Sequence, residues 1–298
     1  MVKFSKTTLV AAAAAASMAA TPAMAQDVRI GWTAWSDAEF VTKLAENILK
    51  NEMDQDVELI QTDIAPQYQG VAQGDIDVML MAWLPGTHGD YWDNVGPDVV
   101  SLGILYDSAR LGWVVPEYVP EDELGSIADL SDDEIRDRLD GTIVGIDPGA
   151  GLTRLSEEAL ETYGLDDYQL QTSSGAGMTA ALERAIRNEE WIVATGWSPH
   201  WKFGRWDLRY LEDPEGALGE FERVHAVARE GFYEENLEAA MMLARMYIPL
   251  EDLEEAMFEA QENTYEDAVQ SYIDANPERV NYWVTGEINE NGANGEDM

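Results

Sequence analysis

The chain contains no cysteine. A disulfide framework, a thiolate metal site and a lipid-attachment cysteine are therefore excluded. Positive charge is scarce too: 18 Lys and Arg face 58 Asp and Glu, for a formal charge of −40 at pH 7. Nucleic acid is ruled out as a partner, because phosphate contacts need Lys and Arg. His is rarer still, with three in 298 residues, and none lies in the H-E-x-x-H spacing of a zinc hydrolase. There is no G-x-S-x-G nucleophile elbow and no D-x-D-x-D-G calcium loop. A secreted hydrolase with His88 or His200 as base and Ser173 or Ser174 as nucleophile thus lacks the motifs that would support it. The expectation is a protein with no metal, no cofactor and no catalytic role.

What is present in excess is acid. The carboxylates are dispersed among ordinary apolar periodicities rather than gathered in a tail, a pattern that reads as the solvated surface of a salt-adapted protein. Self-repulsion on this scale penalises the compact state unless salt screens it. At the start of the chain Lys3 and Lys6 precede the apolar run Leu9 to Ala16, and Ala23-Met24-Ala25 follows. These features predict a cleaved secretory signal over 1–25, too short in its apolar part to anchor the mature chain, and hence a periplasmic protein. The remaining length exceeds what one core usually holds, so two lobes are expected, and the polar stretch 286–298 reads as a disordered tail.

The organising stretch is Asp75 to Trp92, DIDVMLMAWLPGTHGDYW. Val78 to Ala82 is an apolar run of strand length and Pro85-Gly86 punctuates its end, so Trp83 and His88 fall where a strand opens into a crevice. Trp attracts cations to its ring face, and His can donate to an anion. A lone Trp in that place is more often core than cage, so both readings stand on this stretch alone. Upstream, Asp27 to Trp32 reads as a first strand. Ser36-Asp37-Ala38-Glu39 reads as a capping box opening a helix whose apolar face includes Phe40, Val41, Leu44 and Ile48. That order puts Trp35 at the same kind of edge as Trp83. Val57 to Thr62, Val99 to Leu105 and Leu111 to Val115 are further strand-like runs.

Thr142 to Ile146, Tyr168 to Thr172 and Trp191 to Thr195 read as three strands separated by helices. This implies a parallel sheet whose ligands sit beyond the strands' C-terminal ends. Two features fall at those ends: the turn Asp147-Pro148-Gly149-Ala150-Gly151, and Trp197 in Gly196-Trp197-Ser198-Pro199. A glycine-rich turn before a helix lets amides meet an anion beside the positive end of the helix dipole; it equally makes a plain tight turn. Beyond Glu220 the chain reads as mostly helical, which places the third His, His225, in a helix. For His200, in PHW, a structural hydrogen bond is expected.

The segments WSDAEFVT, GDIDVMLMAWLPGTH, VGIDPGAGL, LQTSSGAGMTAALERAI and TGWSPHW resemble the substrate-binding proteins of ABC importers for glycine betaine and related quaternary amines, the OpuAC and ProX type. The resemblance covers nearly the whole chain after residue 25. It implies an α/β fold, a two-lobed periplasmic binding protein (type II-like) with a hinge between two α/β lobes and a helical C-terminal part. Lobe 1 is expected over 26–107 plus 213–285, and lobe 2 over 108–212. The implied site is an aromatic cage around a trimethylammonium group, carried over onto Trp35, Trp83 and Trp197. The ligand's carboxylate is implied to be held by the backbone amides of Gly151 and Leu152 and by His88. Glycine betaine, and proline betaine with it, is the implied ligand; the implied partner is a membrane permease, served by a monomer. Choline competes within the family. Choline-binding relatives use a fourth aromatic where this chain has Leu111, which argues against choline, and an Asp at the position of Asp37, which keeps it open.

Overall fold

The computed structural model describes residues 27–288. The expected signal segment and the expected tail from residue 289 on lie outside the described residues. The chain begins β1 (Val28–Trp32), α1 (Ser36–Asn51), β2 (Val57–Gln61), α2 (Ile64–Gln73), β3 (Val78–Leu84), α3 (Gly89–Val95) and β4 (Val99–Pro116). It continues α4 (Asp133–Arg138), β5 (Thr142–Val144), α5 (Gly151–Thr162), β6 (Gln169–Gln171), α6 (Gly175–Asn188), β7 (Val193–Ser198), α7 (Lys202–Arg205), β8 (Leu208–Tyr210) and β9 (Glu222–Arg229). The helices α8 (Phe232–Glu235), α9 (Leu237–Arg245), α10 (Leu250–Glu262), α11 (Tyr265–Ala275) and α12 (Pro277–Thr285) complete it.

The strands run in the order β2-β1-β3-β9-β4-β7-β5-β6, with β8 beside β4. In the first lobe β1 lies parallel to both β2 and β3, and β3 pairs antiparallel with β9. In the second, β5 lies parallel to β6 and to β7. One strand serves both lobes: β4 pairs with β9 as far as Ala109, then with β7 from Arg110 and with β8 from Val114. The chain leaves the second lobe after β8 and re-enters the first at Glu222, opposite Ala109. Both crossings therefore meet at one place.

Burial follows from these positions. β3 is central, and a strand covered on both faces reads as a continuous apolar run rather than an alternation. Val78 to Trp83 are all buried, each large aliphatic stabilising the fold by roughly 1.5–3 kcal/mol. α1 buries Phe40, Val41, Leu44, Ala45, Ile48 and Leu49 against the first lobe, as its 3.6-residue periodicity predicts. The C-terminal helices cover the outer side of α1 and β4, with Tyr272 edge-on to Phe40 at 5.9 Å between ring centroids. A separate apolar cluster around Trp113, Val115, Leu130 and Val193 fills the second lobe.

Four expectations are corrected. The capping box does not form: Ser36 is already helical, Trp35 is the N-cap without a side-chain bond, and Glu39 pairs with Lys43 at 3.1 Å. Ser36 sits one residue too far in to cap. Val99 to Leu105 and Leu111 to Val115 are one strand, not two; the interruption is a pair of irregularities between Ile104 and Ala109, with Ser108 at φ +59°. β7 continues past Thr195, so Trp197 lies within the strand, and β3 likewise extends to include Trp83. Finally, His225 is on β9, a central strand, and not on a helix; its Nδ1 lies 2.9 Å from Ser101 Oγ. Glu222 to Arg229 alternates only in part, and tertiary pairing on both sides decides its form.

Candidate functional site

Both parallel sheets point their C-terminal strand ends at the space between the lobes, where the topology reverses. A cavity of about 30 Å³ lies there. All of the sequence-predicted residues line it: Trp35, Trp83, His88, Gly151, Leu152 and Trp197. The three indoles are 8 %, 3 % and 5 % exposed in the order Trp35, Trp83, Trp197. Leu111 lines it as well, directly opposite Trp197 in the β4–β7 ladder.

Each ring is held by its own device. Trp35, the N-cap of α1, donates its Nε1–H to Asp147 Oδ2 at 3.0 Å. Trp197 donates Nε1–H to Asp37 Oδ1 at 3.0 Å, and Tyr106 donates its hydroxyl to Asp37 Oδ2 at 2.7 Å. Trp83 stands edge-on to Tyr106 with 6.4 Å between centroids. Asp37 therefore organises the cage from within a buried first turn. Burial raises its carboxyl above the usual range, against side-chain hydrogen bonds from Tyr106, Trp197 and Trp83 that favour the charged form. Behind Trp197 lies a wholly buried cation, Lys202, whose Nζ is 4.2 Å from the ring centroid. Burial pulls that ammonium's pKa well down, partly offset by Asp37 and Glu254.

The anion-directed groups are equally definite. Gly151 and Leu152 open α5, where first-turn amides have no intrahelical acceptor. Neither N–H donates to another group among the described residues. Trp83 N–H donates to His88 Nδ1 at 3.1 Å, so the neutral imidazole carries its proton on Nε2. Burial drives the His88 pKa down to about 3, which keeps the ring neutral at neutral pH. A neutral Nε2–H is a donor. His200, by contrast, accepts from Lys202 N–H at 3.0 Å, the structural bond expected of it. Ser174 caps α6 by accepting from Gly177 N–H, and Ser173 donates to backbone carbonyls.

Sequence reasoning missed three contributors. Thr87 lines the cavity, is 5 % exposed, and its Oγ1 has no partner at hydrogen-bond geometry among the described residues. Its place beside His88 in LPGTH was the available signal. Glu222 accepts from Thr87 N–H at 2.8 Å and Gly86 N–H at 3.1 Å, fixing the loop from the start of β9. Asp147, known only as part of a turn, holds Trp35. No local pattern joins these pairs, which are separated by over a hundred residues.

The two lobes and the aromatic cleft between them define a periplasmic binding protein of the two-lobed kind. The family described as the substrate binding domain of ABC-type glycine betaine transport systems matches residues 26–275, and the chain belongs to that family. The glycine betaine/carnitine transport binding protein GbuC of Listeria monocytogenes is 34% identical over 61% of this chain; the match spans 58% of that relative's length. Lactococcal OpuAC, solved closed and complexed with glycine betaine, superposes with a TM-score of 0.81 at 36% identity, covering 87% of this chain and 100% of that one. An ABC-transporter choline binding protein in complex with choline gives 0.80 at 25% identity, over 89% of this chain and 94% of that one.

Proposed function

We propose that the protein captures glycine betaine, and proline betaine with it, in the interlobe cavity and presents it to the membrane permease of an ABC importer, without catalysing a reaction. The observation that carries this reading is one cavity lined by three indoles together with His88, Gly151 and Leu152. A quaternary ammonium has no N–H to donate, so its recognition falls to shape and ring quadrupoles, each desolvated contact contributing about 2 kcal/mol. Those contributions are not strictly additive. A carboxylate at the amides and His88 gains charge-assisted hydrogen bonds that a hydroxymethyl group does not. The protein works outside the cytoplasm, in the periplasm, as a monomer, and its acidic surface suits a saline medium.

Choline is the second reading, favoured by Asp37, a carboxylate that lines the cavity. Both its oxygens already accept, from Trp197 and Tyr106, and the wall at Leu111 is aliphatic. Betaine is therefore preferred. The test is intrinsic Trp fluorescence titrated with glycine betaine and with choline in molar salt. Saturation by betaine at far lower concentration than by choline is the expected result. The reverse order would move the assignment to choline, and no response to either would remove quaternary amines as the ligand class.

A further inference from the structure

Trp35 and Asp37 stand two residues apart on the first lobe; Asp147 and Trp197 stand on the second. Trp35 donates its indole N–H to Asp147 at 3.0 Å, and Trp197 donates its indole N–H to Asp37 at 3.0 Å. The exchange is reciprocal: each lobe offers one indole donor and one carboxylate acceptor to the other. An indole N–H lies in the ring plane, so a bond through it fixes the plane while leaving both faces available to a cation. Hydrogen bonds to an ionised acceptor are about twice as strong as neutral ones, and both acceptors are carboxylates. Because each acceptor comes from the opposite lobe, neither indole N–H has its carboxylate partner until the lobes meet.

Other bonds cross the cleft without touching an indole. Tyr91 donates its hydroxyl to Gly149 O at 2.8 Å, and Arg154 pairs with Asp90 at 3.3 Å. They hold the lobes together at the rim and say nothing to the rings. Among the described residues, the indole–carboxylate pairs are the bonds that combine the two tasks.

We infer that Asp37 and Asp147 are positioning residues of a two-point latch, in which closure of the lobes and assembly of the aromatic cage are one event. The inference rests on the reading of the cavity as a quaternary-amine site. Its consequence is that losing either carboxylate weakens ligand binding by leaving a cage wall unset and the closed state less populated.

The absence of native cysteine makes the test direct. Spin labels on Gln69→Cys in the first lobe and Glu161→Cys in the second, both exposed positions, report the interlobe distance by double electron–electron resonance. In the otherwise unaltered protein, saturating glycine betaine is expected to shorten that distance. With Asp147→Ala added, betaine is expected to bind about tenfold or more weakly, and a long-distance population is expected to persist at saturation. Asp147 is a half-buried turn residue, so this variant keeps its fold; Asp37→Asn, at a buried position, is the companion. Tyr91→Phe, which loses a rim bond only, is expected to change the distance distribution less than Asp147→Ala. Full closure and unchanged affinity in Asp147→Ala would overturn the latch and leave the betaine reading intact. Should the unaltered protein neither bind betaine nor close with it, the ligand reading fails instead. The latch is then judged on the unliganded distances: a shift to longer values in Asp147→Ala upholds it, and unchanged distances overturn it.

Discussion

Trp83 and His88 are bonded to each other twice: Trp83 N–H donates to His88 Nδ1 at 3.1 Å, and His88 N–H donates to Trp83 O at 2.9 Å. The pair closes the LPGT loop on itself and settles which ring nitrogen keeps its proton. His88→Ala removes a donor and the loop's internal tie together. Affinity for glycine betaine is expected to fall about tenfold or more, and affinity for choline by less, since only betaine offers a carboxylate. Calorimetric titration of both ligands checks this. Equal losses would make His88 a support of the loop rather than a reader of the anion.

The same imidazole makes stability pH-dependent. Its folded pKa lies below the ordinary value of 6.5, at about 3, so protonation favours the unfolded chain. The stability it contributes is complete above pH 6.5 and declines by about 1.4 kcal/mol for each pH unit below that. His200, its pKa also held well down by burial, acts in the same direction. Asp37 acts oppositely: its folded pKa is raised, so its share is complete below the ordinary value of 3.8 and is lost as pH rises from there through its higher folded value. Urea unfolding between pH 7 and pH 5 is expected to show acid destabilisation, shallower in His88→Gln by about one proton's worth. An unchanged slope would place the titration elsewhere.

Thr87 tests the oxygen that has no partner. Thr87→Val keeps the shape and removes the hydroxyl. Betaine affinity is expected to drop several-fold, about what one neutral hydrogen bond contributes, with the melting temperature little changed. Unchanged affinity would mean that the hydroxyl serves Glu222, whose Oε2 also lacks a partner among the described residues.

Leu111 faces the cavity directly across the ladder from Trp197. A ring at that position adds a fourth aromatic wall and narrows the space. Leu111→Tyr is expected to raise the ratio of choline to betaine affinity by up to about tenfold. Competition between the two ligands at equal concentration measures it, and an unmoved ratio would show that this wall does not choose between them.

How much of this was legible follows the range of the interactions. The apolar face of α1 and the central run of β3 depend on spacing and burial alone, and both were read correctly. The cap of α1 failed by a single residue, because Ser36 and Glu39 match a motif whose register only the folded backbone fixes. β9 was missed because its Val-His-Ala-Val-Ala core is a short run whose strand form comes from β3 and β4 on either side. At the site, residue types were visible but partnerships were not. Tyr106 and Trp197 reach Asp37 from 69 and 160 positions away, and no local pattern encodes such a meeting.

Gly151 opens α5 on the second lobe, yet its nearest non-local neighbour is Thr87 on the first. A β-carbon placed on it would come within 2.2 Å of Thr87 O and 2.6 Å of Thr87 Cγ2. Its backbone is ordinary helix, where alanine is the better former, so the second lobe would accept Gly151→Ala without complaint. The cost would fall wholly on the swing of one lobe toward the other, as a doorstop costs nothing to the door or the frame. Such a variant is expected to melt as the unaltered protein does and to keep a long interlobe distance under saturating betaine; full closure would disprove it. A single methyl group would then yield a receptor arrested before it shuts, in which docking on a permease can be observed apart from the hand-over that follows.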